Sequence, residues 1–569
     1  MFFLTRARIL SAVGLIAVVS TFSIWVWVSW YLDHTQEVPA FGGEYSEGVI
    51  GAPVNINPLV PVTDVDRDLN SLIFSGLTKI DADGQLAGDL AKSWEVSEDG
   101  LTYVFTLRSD VIWQDGESFN AHDVAFTYNL ILQDQYPGPY TLKKNWEGIQ
   151  VEVIDDQQIK LVLPDAYAAF LENTTLGIVP EHLLIDTPVA ELADAPFNRN
   201  PVGTGPYRFS EIVSKDDVIK TVVLTANMKY YGKVPYIETV RFKLYNNTYE
   251  LLAALRNHEI NGVYNVAPEI LADVADMRSI NVYANALPRY QGIFFNTRDR
   301  DMFIDIKVRS ALSYAIDRQK LIAEVFDGAA QEATGPLPAA SWAYKPLEAE
   351  TITFDAEKAR ALLAEAGWTD ADQNGILERN GQELTITLLS DDDDQRVQMA
   401  ILIEAMWEEI GVNVEVRLFG VGTFIDEYLR KRDYDCVLFG QSLSWDPDVY
   451  AFWHSTQRDD PGLNISLYYN ERVDKLLEDA RRITKPEQRK KKYYEFQTIV
   501  RAESPAIFLV TPVYNYAVSD SVKNVNSVFM VHPADRLKDL PTWYVKTKRV
   551  EIVPEKPAVV PDLSTEAGG

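Results

Sequence analysis

The chain has 569 residues, more than one hydrophobic core can serve, so about three to four structural units are expected. Hydrophobic residues make up 47% of it and charged residues 24%, which are the values of an ordinary folded protein. The 83 acidic residues outnumber the 53 basic ones, and the net charge of -30 argues against a nucleic-acid partner, which would require a basic surface. The single cysteine, Cys436, excludes a disulfide framework.

A long uncharged stretch lies close to the N-terminus. Arg6 and Arg8 precede residues 9–32, which carry no charge and end in several aromatic side chains. The stretch is long enough to cross a bilayer, and its positive flank predicts that residues 1–8 are cytoplasmic. A cleaved signal peptide is the alternative, but the stretch exceeds an apolar region of about 7–15 residues and no clear cleavage site follows. We therefore predict a single transmembrane anchor at residues 9–32 and a linker at 33–43.

The first part of the body, residues 44–199, has the pattern of one helix followed by several hairpins. Apolar residues at helical spacing predict a helix over 64–77. Asn120 is a favourable N-cap for a helix that continues to Leu130, and residues 149–163 form a second β-rich stretch. Tight turns are predicted at three dipeptides, Asp83-Gly84, Asp99-Gly100 and Asp115-Gly116.

A glycine-flanked turn opens the next part of the chain. Gly203 and Gly205 flank Thr204 just before a strand that begins at Tyr207. No Lys-Ser or Lys-Thr pair follows, so this is not a phosphate-binding P-loop, and we predict a tight turn that enters a central strand. An α/β pattern follows, with strands at 218–224 and 237–244 and a helix at 248–257.

The pattern of residues 289–513 is also α/β. A buried strand is predicted at 289–296, and the helix after it is interrupted or capped again near Asp317. Gly367 ends a helix over 355–366. Residues 384–418 give a strand, a helix and a strand, which predicts a β-α-β unit with a right-handed crossover.

One loop in this part resembles a calcium-binding loop. Asp370, Asp372, Asn374 and Gly375 have the required offsets, but Gly381 occupies the twelfth position, where a bidentate Glu is needed. We therefore predict a hairpin loop and no metal site.

The stretch from 434 to 455 has the strongest character of a recognition site. An apolar run from Cys436 predicts a buried strand, and a polar turn follows it. Trp445 offers a flat stacking surface, and Asp446 or Asp448 could accept hydrogen bonds from a cationic or polyhydroxylated ligand. The alternative is a surface loop in which Asp448 caps a short helix over 449–454.

The C-terminal part contains two amphipathic helices separated near Pro486 and a last buried strand over 506–513. Tyr514 and Tyr516 follow that strand. The residues from 551 onward are rich in proline and lack apolar periodicity, which predicts a disordered tail.

Enzyme motifs do not occur in the sequence. The six histidines are scattered, and there is neither an H-E-x-x-H helix nor a G-x-S-x-G elbow. We predict that the protein is not an enzyme and has no catalytic residues and no cofactor.

Several motifs occur together in one order, spread over about residues 44–545. They are the segments LAKSW at 90–94, AHDV at 121–124, GTGPYRF at 203–209, VRSALSYAIDR at 308–318, and WDPD with FWHS at 445–455. Taken together they resemble the family 5 extracellular solute-binding proteins, the dipeptide- and oligopeptide-binding components of ABC importers.

This resemblance implies an α/β, two-lobed type II periplasmic-binding fold with an extra β-rich subdomain. The parts it implies are lobe I at 44–80, 200–288 and 514–545, the β-rich subdomain at 81–199, lobe II at 289–513, and a disordered tail at 546–569.

The resemblance also implies a function. A short peptide would be captured between two closing lobes and delivered to the permease subunits of an ABC importer. The protein would be a monomer with its folded body in the periplasm or extracytoplasmic space. The anchor predicted at residues 9–32 departs from the family, whose members are usually free in a periplasm or anchored by a lipid. An oligosaccharide, a nickel chelate or an opine as cargo and a role as a ligand sensor remain alternatives, and an exported hydrolase is a weaker one.

Family members that bind peptides use an aspartate of the second lobe to hold the α-amino group of the peptide. Here that position falls near Ser444, and whether Asp446 replaces it is open. We expect Asp446→Ala to weaken ligand binding by about tenfold or more without lowering the melting temperature of the ligand-free protein. The predicted ligand-binding residues are Ser444, Trp445, Asp446 and Asp448, with Asn57, Tyr290 and Tyr514 as further cleft residues, for whose tyrosines ordinary packing is the alternative.

Overall fold

The computed structural model describes residues 2–346 and 353–552. Its helices, numbered in chain order, are α1 (Phe2–His34), α2 (Asp64–Ile73), α3 (Ala121–Leu132), α4 (Tyr140–Trp146), α5 (Phe170–Asn173), α6 (Glu181–Leu184), α7 (Thr248–Arg256), α8 (Pro268–Ala275), α9 (Ile306–Tyr314), α10 (Arg318–Phe326), α11 (Ala356–Glu365), α12 (Asp394–Glu408), α13 (Val421–Thr423), α14 (Tyr450–Trp453), α15 (Glu471–Arg482) and α16 (Pro486–Glu503).

The strands form one large mixed sheet and several small sheets. They are β1 (Thr35–Ala40), β2 (Glu44–Ile50), β3 (Thr78–Ile80), β4 (Leu86–Gly88), β5 (Ala91–Val96), β6 (Thr102–Leu107), β7 (Gln150–Asp155), β8 (Gln158–Val162), β9 (Tyr207–Lys215), β10 (Val218–Ala226), β11 (Thr239–Tyr245), β12 (Gly262–Val263), β13 (Ile280–Ala286), β14 (Arg289–Phe295), β15 (Ala330–Glu332), β16 (Glu378–Arg379), β17 (Gln382–Glu383), β18 (Thr385–Asp391), β19 (Asn413–Phe419), β20 (Cys436–Ser442), β21 (Ala506–Ser519) and β22 (Lys546–Glu551).

Strand β21 joins the two halves of the twelve-stranded sheet, whose order is β19-β18-β20-β14-β21-β12-β2-β11-β10-β9, with β13 and β15 also paired to β21. Its first residues pair with β14, and its last seven residues pair with β13. The chain crosses a second time between β13 and β14, over Leu287 and Pro288. We call the residues on one side lobe I (44–288 and 514–545) and those on the other side lobe II (289–513). Two adjacent crossings of this kind can act as a hinge.

The β-rich part of lobe I is a four-stranded antiparallel sheet in the order β5-β6-β8-β7. Helix α3 begins as predicted, because the Asn120 side chain accepts a hydrogen bond from a backbone N–H of the first turn. Buried side chains of this sheet, such as Phe105, belong to the same apolar core as those of the large sheet, such as Val240.

The helices and strands predicted in lobe II from local sequence patterns are present in the structure. Asp317 caps α10 and so divides the predicted helix into α9 and α10. The predicted β-α-β unit is present, with β18 and β19 parallel around α12. The hairpin predicted at the calcium-like loop is present as β16 and β17, which pair across the end of that loop. In lobe I, the helix predicted over 64–77 is shorter and ends at Ile73. Phe74 is extended, and the carbonyl oxygens of Ser75 and Gly76 accept hydrogen bonds from the backbone N–H groups of Ile178 and Leu90, at 2.9 and 3.0 Å, in place of helical ones.

Two of the domain assignments need correction. Residues of the predicted linker form β1, and the first residues of the predicted disordered tail form β22. The two strands pair antiparallel over six residues, and the Arg549 side chain donates hydrogen bonds to Thr35. A strand with many polar residues carries little apolar signal, and the partner lies at the far end of the chain. The rest of the predicted tail, residues 553–569, lies outside the described residues.

Helix α1 contains the residues predicted to form a membrane anchor. In the part of the chain that the structure describes, no helix has both the length and the apolar character needed to cross a membrane.

A buried ion network fixes the inner face of lobe I. Arg536 donates hydrogen bonds to Glu47 at 2.9 Å and to Asp68 at 2.6 and 2.7 Å, and all three side chains are nearly inaccessible to solvent. This network connects β2, α2 and the returning chain after β21, and it therefore sets the position of α2.

Candidate functional site

The predicted recognition stretch lies at the end of a central strand, close to the crossing between the lobes. Strand β20 pairs with β14 and ends at Ser442. The next residue, Leu443, donates its backbone N–H to the carbonyl oxygen of Pro288 in the crossing segment, at 2.8 Å. The loop that begins at Ser444 is therefore attached to the hinge and faces lobe I.

This loop makes a direct contact between the lobes. The backbone N–H groups of Trp445 and Asp446 donate to the two carboxylate oxygens of Glu172, in α5 of lobe I, at 2.8 and 3.1 Å. The side chain of Ser444 also hydrogen-bonds to Glu172. The indole N–H of Trp445 donates to the carbonyl oxygen of Gly84 at 2.9 Å. This short loop of lobe II thus docks on the β-rich part of lobe I.

The Glu172 side chain is half-buried at this contact. Burial raises its pKa to about 7, and the nearby charge of Asp446 adds to the increase. The hydrogen bonds from the Trp445 and Asp446 backbone oppose the shift. A carboxyl with this pKa changes its charge near neutral pH at the place where the lobes touch, so we expect the contact to depend on pH.

Asp446 is not exposed to the cleft in this structure. Only 2% of it is accessible, and both carboxylate oxygens accept hydrogen bonds from the guanidinium of Arg489 in α16, at 2.5 and 2.7 Å. This buried pair argues against the expectation that Asp446→Ala leaves the melting temperature unchanged, because that change would leave a buried arginine without its partner.

Asp448 combines a capping role with an ion pair. One carboxylate oxygen accepts the backbone N–H of Tyr450 at the start of α14, and the other accepts a hydrogen bond from Arg481 at 2.9 Å. The backbone carbonyl of Arg481 in turn accepts the N–H of Ala168 in lobe I at 2.8 Å. Asp448 therefore orients a second contact between the lobes.

A cavity of about 560 Å³ adjoins the loop, a volume within the range of about 300–1,000 Å³ that is common for ligand sites. Lobe I supplies nearly all of its walls, from α2, the segment 74–82, the segment 172–177 and the segment 531–541. Trp445 is the residue of lobe II that completes the lining. A ligand in the cavity would therefore touch both lobes.

The other three predicted residues are not in this cluster. The Asn57 side chain is buried and donates to Asn198 at 2.9 Å. Tyr290 is also buried, and its hydroxyl donates to Gln441 beside it in the sheet. Tyr514 lies in β21 just past the crossing, and its buried hydroxyl has no hydrogen-bond partner among the described residues.

The sequence analysis missed Glu172, Gly84 and Arg489, which make the main contacts of the loop. Arg489 follows Pro486 in a helix with four other charged residues in its first half, and nothing distinguishes it from a surface residue. Glu172 is one acid among 83. The only available signal was indirect, since a buried Asp446 would require a cation from a neighbouring helix.

Two lobes joined by a pair of crossings, with a cavity that both of them line, define the class of two-lobed solute-binding proteins. A family model for the bacterial extracellular solute-binding proteins, family 5, matches residues 85–462. The chain belongs to this family, whose members are binding proteins and not enzymes.

Several proteins are similar to this chain over most of their own length. The oligopeptide-binding protein AppA of Bacillus subtilis is 29% identical over 517 residues, which cover 89% of this chain and 92% of AppA. Its structure in complex with a nonapeptide has a TM-score of 0.66 and covers 90% of this chain and 100% of its own. The structure of NikZ from Campylobacter jejuni in complex with Ni(L-His) is 28% identical, with a TM-score of 0.67, and covers 88% and 99%. These similarities establish the two-lobed α/β fold.

Proposed function

We propose that the protein captures a short peptide between its two lobes and delivers it to the permease of an ABC importer. The observation that carries this proposal is the cavity lined by lobe I and completed by Trp445 of lobe II. A ligand held there stabilises the contact between the lobes, because it adds interactions that exist only when they are together. The permease can then distinguish loaded from empty protein by the arrangement of the lobes.

The preference for a peptide follows from the similarity to AppA, whose structure contains a nonapeptide. The similarity to NikZ, whose structure contains a nickel–histidine complex, favours a metal chelate as the second candidate. Trp445 can pack against either kind of ligand, so the protein itself must be tested with both.

A thermal-shift screen of the purified full-length protein tests the proposal. We expect alanine–serine peptides of two to nine residues to raise the melting temperature, because a ligand that binds only the folded state stabilises it. N-acetylated peptides show whether a free α-amino group is required. Stabilisation by Ni(L-His) or by oligosaccharides but by no peptide would contradict the peptide assignment.

We also propose that the N-terminal segment anchors the protein in the cell membrane. Residues 9–32 carry no charge. They belong to the continuous helix α1, and its apolar side chains, such as Phe22, Trp25 and Trp27, are more than 60% exposed. An anchor would hold the binding protein near its permease and raise its effective concentration there.

Fractionation of cells that express the full-length chain tests the anchor. We expect the protein to stay in the membrane pellet at alkaline pH and to retain its N-terminal residues by mass spectrometry. A matched variant in which residues 1–34 are replaced by a cleavable signal peptide should be released as soluble protein. A wild-type protein that is soluble and begins after residue 32 would contradict the anchor.

A further inference from the structure

The wall of the cavity carries more negative than positive charge. With His532 counted as neutral, its lining contains three cations, Arg67, Lys79 and Lys538, and five carboxyl groups, Asp81, Asp89, Glu172, Asp535 and Asp539. Lys79 pairs with Asp89 and Lys538 with Asp535, each at 3.2 Å. Arg67 pairs with Asp64, which lies outside the lining. The lining cations are therefore all engaged, and none of them pairs with Asp81 or Asp539.

Asp539 is the lining acid whose carboxylate makes no hydrogen bond or ion pair among the described residues. It precedes a short turn of helix at Leu540–Thr542, but its side chain forms no capping hydrogen bond there. Only its backbone carbonyl oxygen is engaged, and it accepts the Thr542 hydroxyl at 2.8 Å. Asp81 differs, because one of its carboxylate oxygens accepts the backbone N–H groups of Asp83 and Gln85, at 3.1 and 2.8 Å. The Asp539 side chain therefore has no structural role that accounts for its charge.

The charge of Asp539 is unfavourable in the ligand-free protein. Its side chain is partly buried. Burial raises the pKa of Asp539, the nearby carboxylates of Asp83 and Asp81 raise it further, and the charge of Lys538 opposes the shift. A cationic group of a ligand would compensate this carboxylate, so its position in the wall of the cavity points to a positively charged ligand group as the partner.

The backbone that carries Asp539 is fixed by the core of lobe I. Leu537 and Leu540 on either side are almost completely buried, and Arg536 is held in the buried ion network. The turn that brings Asp81 and Asp83 close to Asp539 is also the turn whose Gly84 carbonyl oxygen accepts the indole N–H of Trp445. A ligand group bound to Asp539 therefore lies beside the contact between the lobes.

The apolar part of the same wall indicates which kind of cation fits. The lining residues next to these acids in the sequence, Ile80, Ala82 and Pro541, have side chains without hydrogen-bonding groups. Arginine and lysine side chains combine an apolar stem with a charged end and match such a surface. An α-amino group is attached directly to the first residue's main chain, whose peptide group would lose hydrogen bonds to water against an apolar wall. The wall therefore favours a basic side chain.

We propose that Asp539 makes the cavity selective for peptides with a basic side chain, whose guanidinium or ammonium group it binds while the stem packs on the apolar wall. This inference rests on the proposed function and adds to it the class of peptide that is preferred. Asp539 is thus a residue that determines specificity, and it acts on one position of the peptide.

The test uses the full-length protein and alanine–serine peptides with one arginine, placed at each position in turn. Each peptide is compared with its citrulline analogue, which has nearly the shape of arginine and no charge. For wild-type protein we expect calorimetric titration to show that arginine at one position binds about tenfold more tightly than citrulline. Asp539→Asn should weaken binding of that arginine peptide by about the same factor and leave the citrulline peptide unchanged. The ligand-free variant should melt at or above the wild-type temperature, because the change removes a charge that Asp81 and Asp83 repel.

Asp83→Asn provides a matched control, because Asp83 is near Asp539 but is exposed and does not line the cavity. This variant should keep the preference for arginine, since solvent screens the charge of an exposed carboxylate. Equal binding of arginine and citrulline by the wild type at every position would overturn the role of Asp539 and leave the proposed function intact. Loss of the preference in Asp83→Asn as complete as in Asp539→Asn would overturn it too.

The other outcomes are also decisive. If Asp539→Asn weakens binding of the arginine and citrulline peptides equally, the role is overturned, because the carboxylate would then bind a group that both peptides share, such as the α-amino group. A lower melting temperature of ligand-free Asp539→Asn would overturn it as well, since the carboxylate would then have a partner within the protein. Failure of every peptide to bind wild type would overturn both proposals.

Discussion

Arg489→Met should lower the free energy of unfolding by about 3–5 kcal/mol, the usual cost of breaking a buried ion pair. The change leaves the Asp446 carboxylate 2% exposed and without the two hydrogen bonds that now compensate its charge. Asp446→Asn should have a similar effect, because it leaves the guanidinium of Arg489 buried without an anion. Both changes also loosen the Trp445 loop, so peptide affinity should fall together with stability.

Denaturant unfolding of the two single variants and the double variant measures the pair. The free energy of unfolding of the double variant should fall by less than the sum of the two single decreases, since each single change leaves the other charged partner buried and uncompensated. Arg472 and Glu495 supply the control, because they form a bidentate pair that joins α15 to α16, the helix that also carries Arg489, with both side chains about half exposed. Arg472→Met should cost less than about 1 kcal/mol. Equal effects of Arg489→Met and Arg472→Met would contradict the buried pair.

The contact at Glu172 should weaken as the pH rises through the range between about 4.5 and 7. When the lobes separate, the carboxyl returns to water and to its ordinary pKa of 4.5, whereas in contact its pKa is about 7. Between these values the contact takes up a proton, so it is favoured by acid and loses stability as the pH rises. The slope has an upper limit of about 1.4 kcal/mol per pH unit, and above about pH 7 no further change is expected from this group.

Glu172→Gln isolates this effect, because glutamine cannot ionise and keeps one acceptor for the loop. The difference in the free energy of unfolding between the two proteins, measured from pH 4 to 8, should vary between about 4.5 and 7 and be constant above that range. Because both proteins contain the same other acidic groups, the contribution of those groups cancels in this difference. A difference that does not depend on pH would contradict the raised pKa.

Local signals account for much of what the sequence predicts correctly. Asn120 and Asp317 start helices because their side chains accept hydrogen bonds from backbone N–H groups a few residues away, and that chemistry is visible in the sequence. The β-α-β unit around α12 was predicted from the local order of a strand, a helix and a second strand over residues 384–418. The strand and turn that carry Trp445 were predicted in the same way.

Distant contacts account for what could not be predicted. The partner of the Trp445 loop, Glu172, is 273 residues away, and the partner of Asp446 is 43 residues away. No periodicity relates residues at such separations, so Asp446 could be taken for an exposed ligand group. Strands β1 and β22 pair across almost the whole chain for the same reason.

The distance between the lobes tests the central claim most directly. Cys436 is completely buried, so spin labels can be placed on two cysteines introduced at the exposed positions Asp156 in lobe I and Lys475 in lobe II. Pulsed dipolar spectroscopy then gives the distance distribution with and without peptide. The account predicts that a peptide that raises the melting temperature shortens and narrows the distribution to the distance in the structure described above. An unchanged distribution in the presence of such a peptide would show that it binds without bringing the lobes together, and would contradict the account.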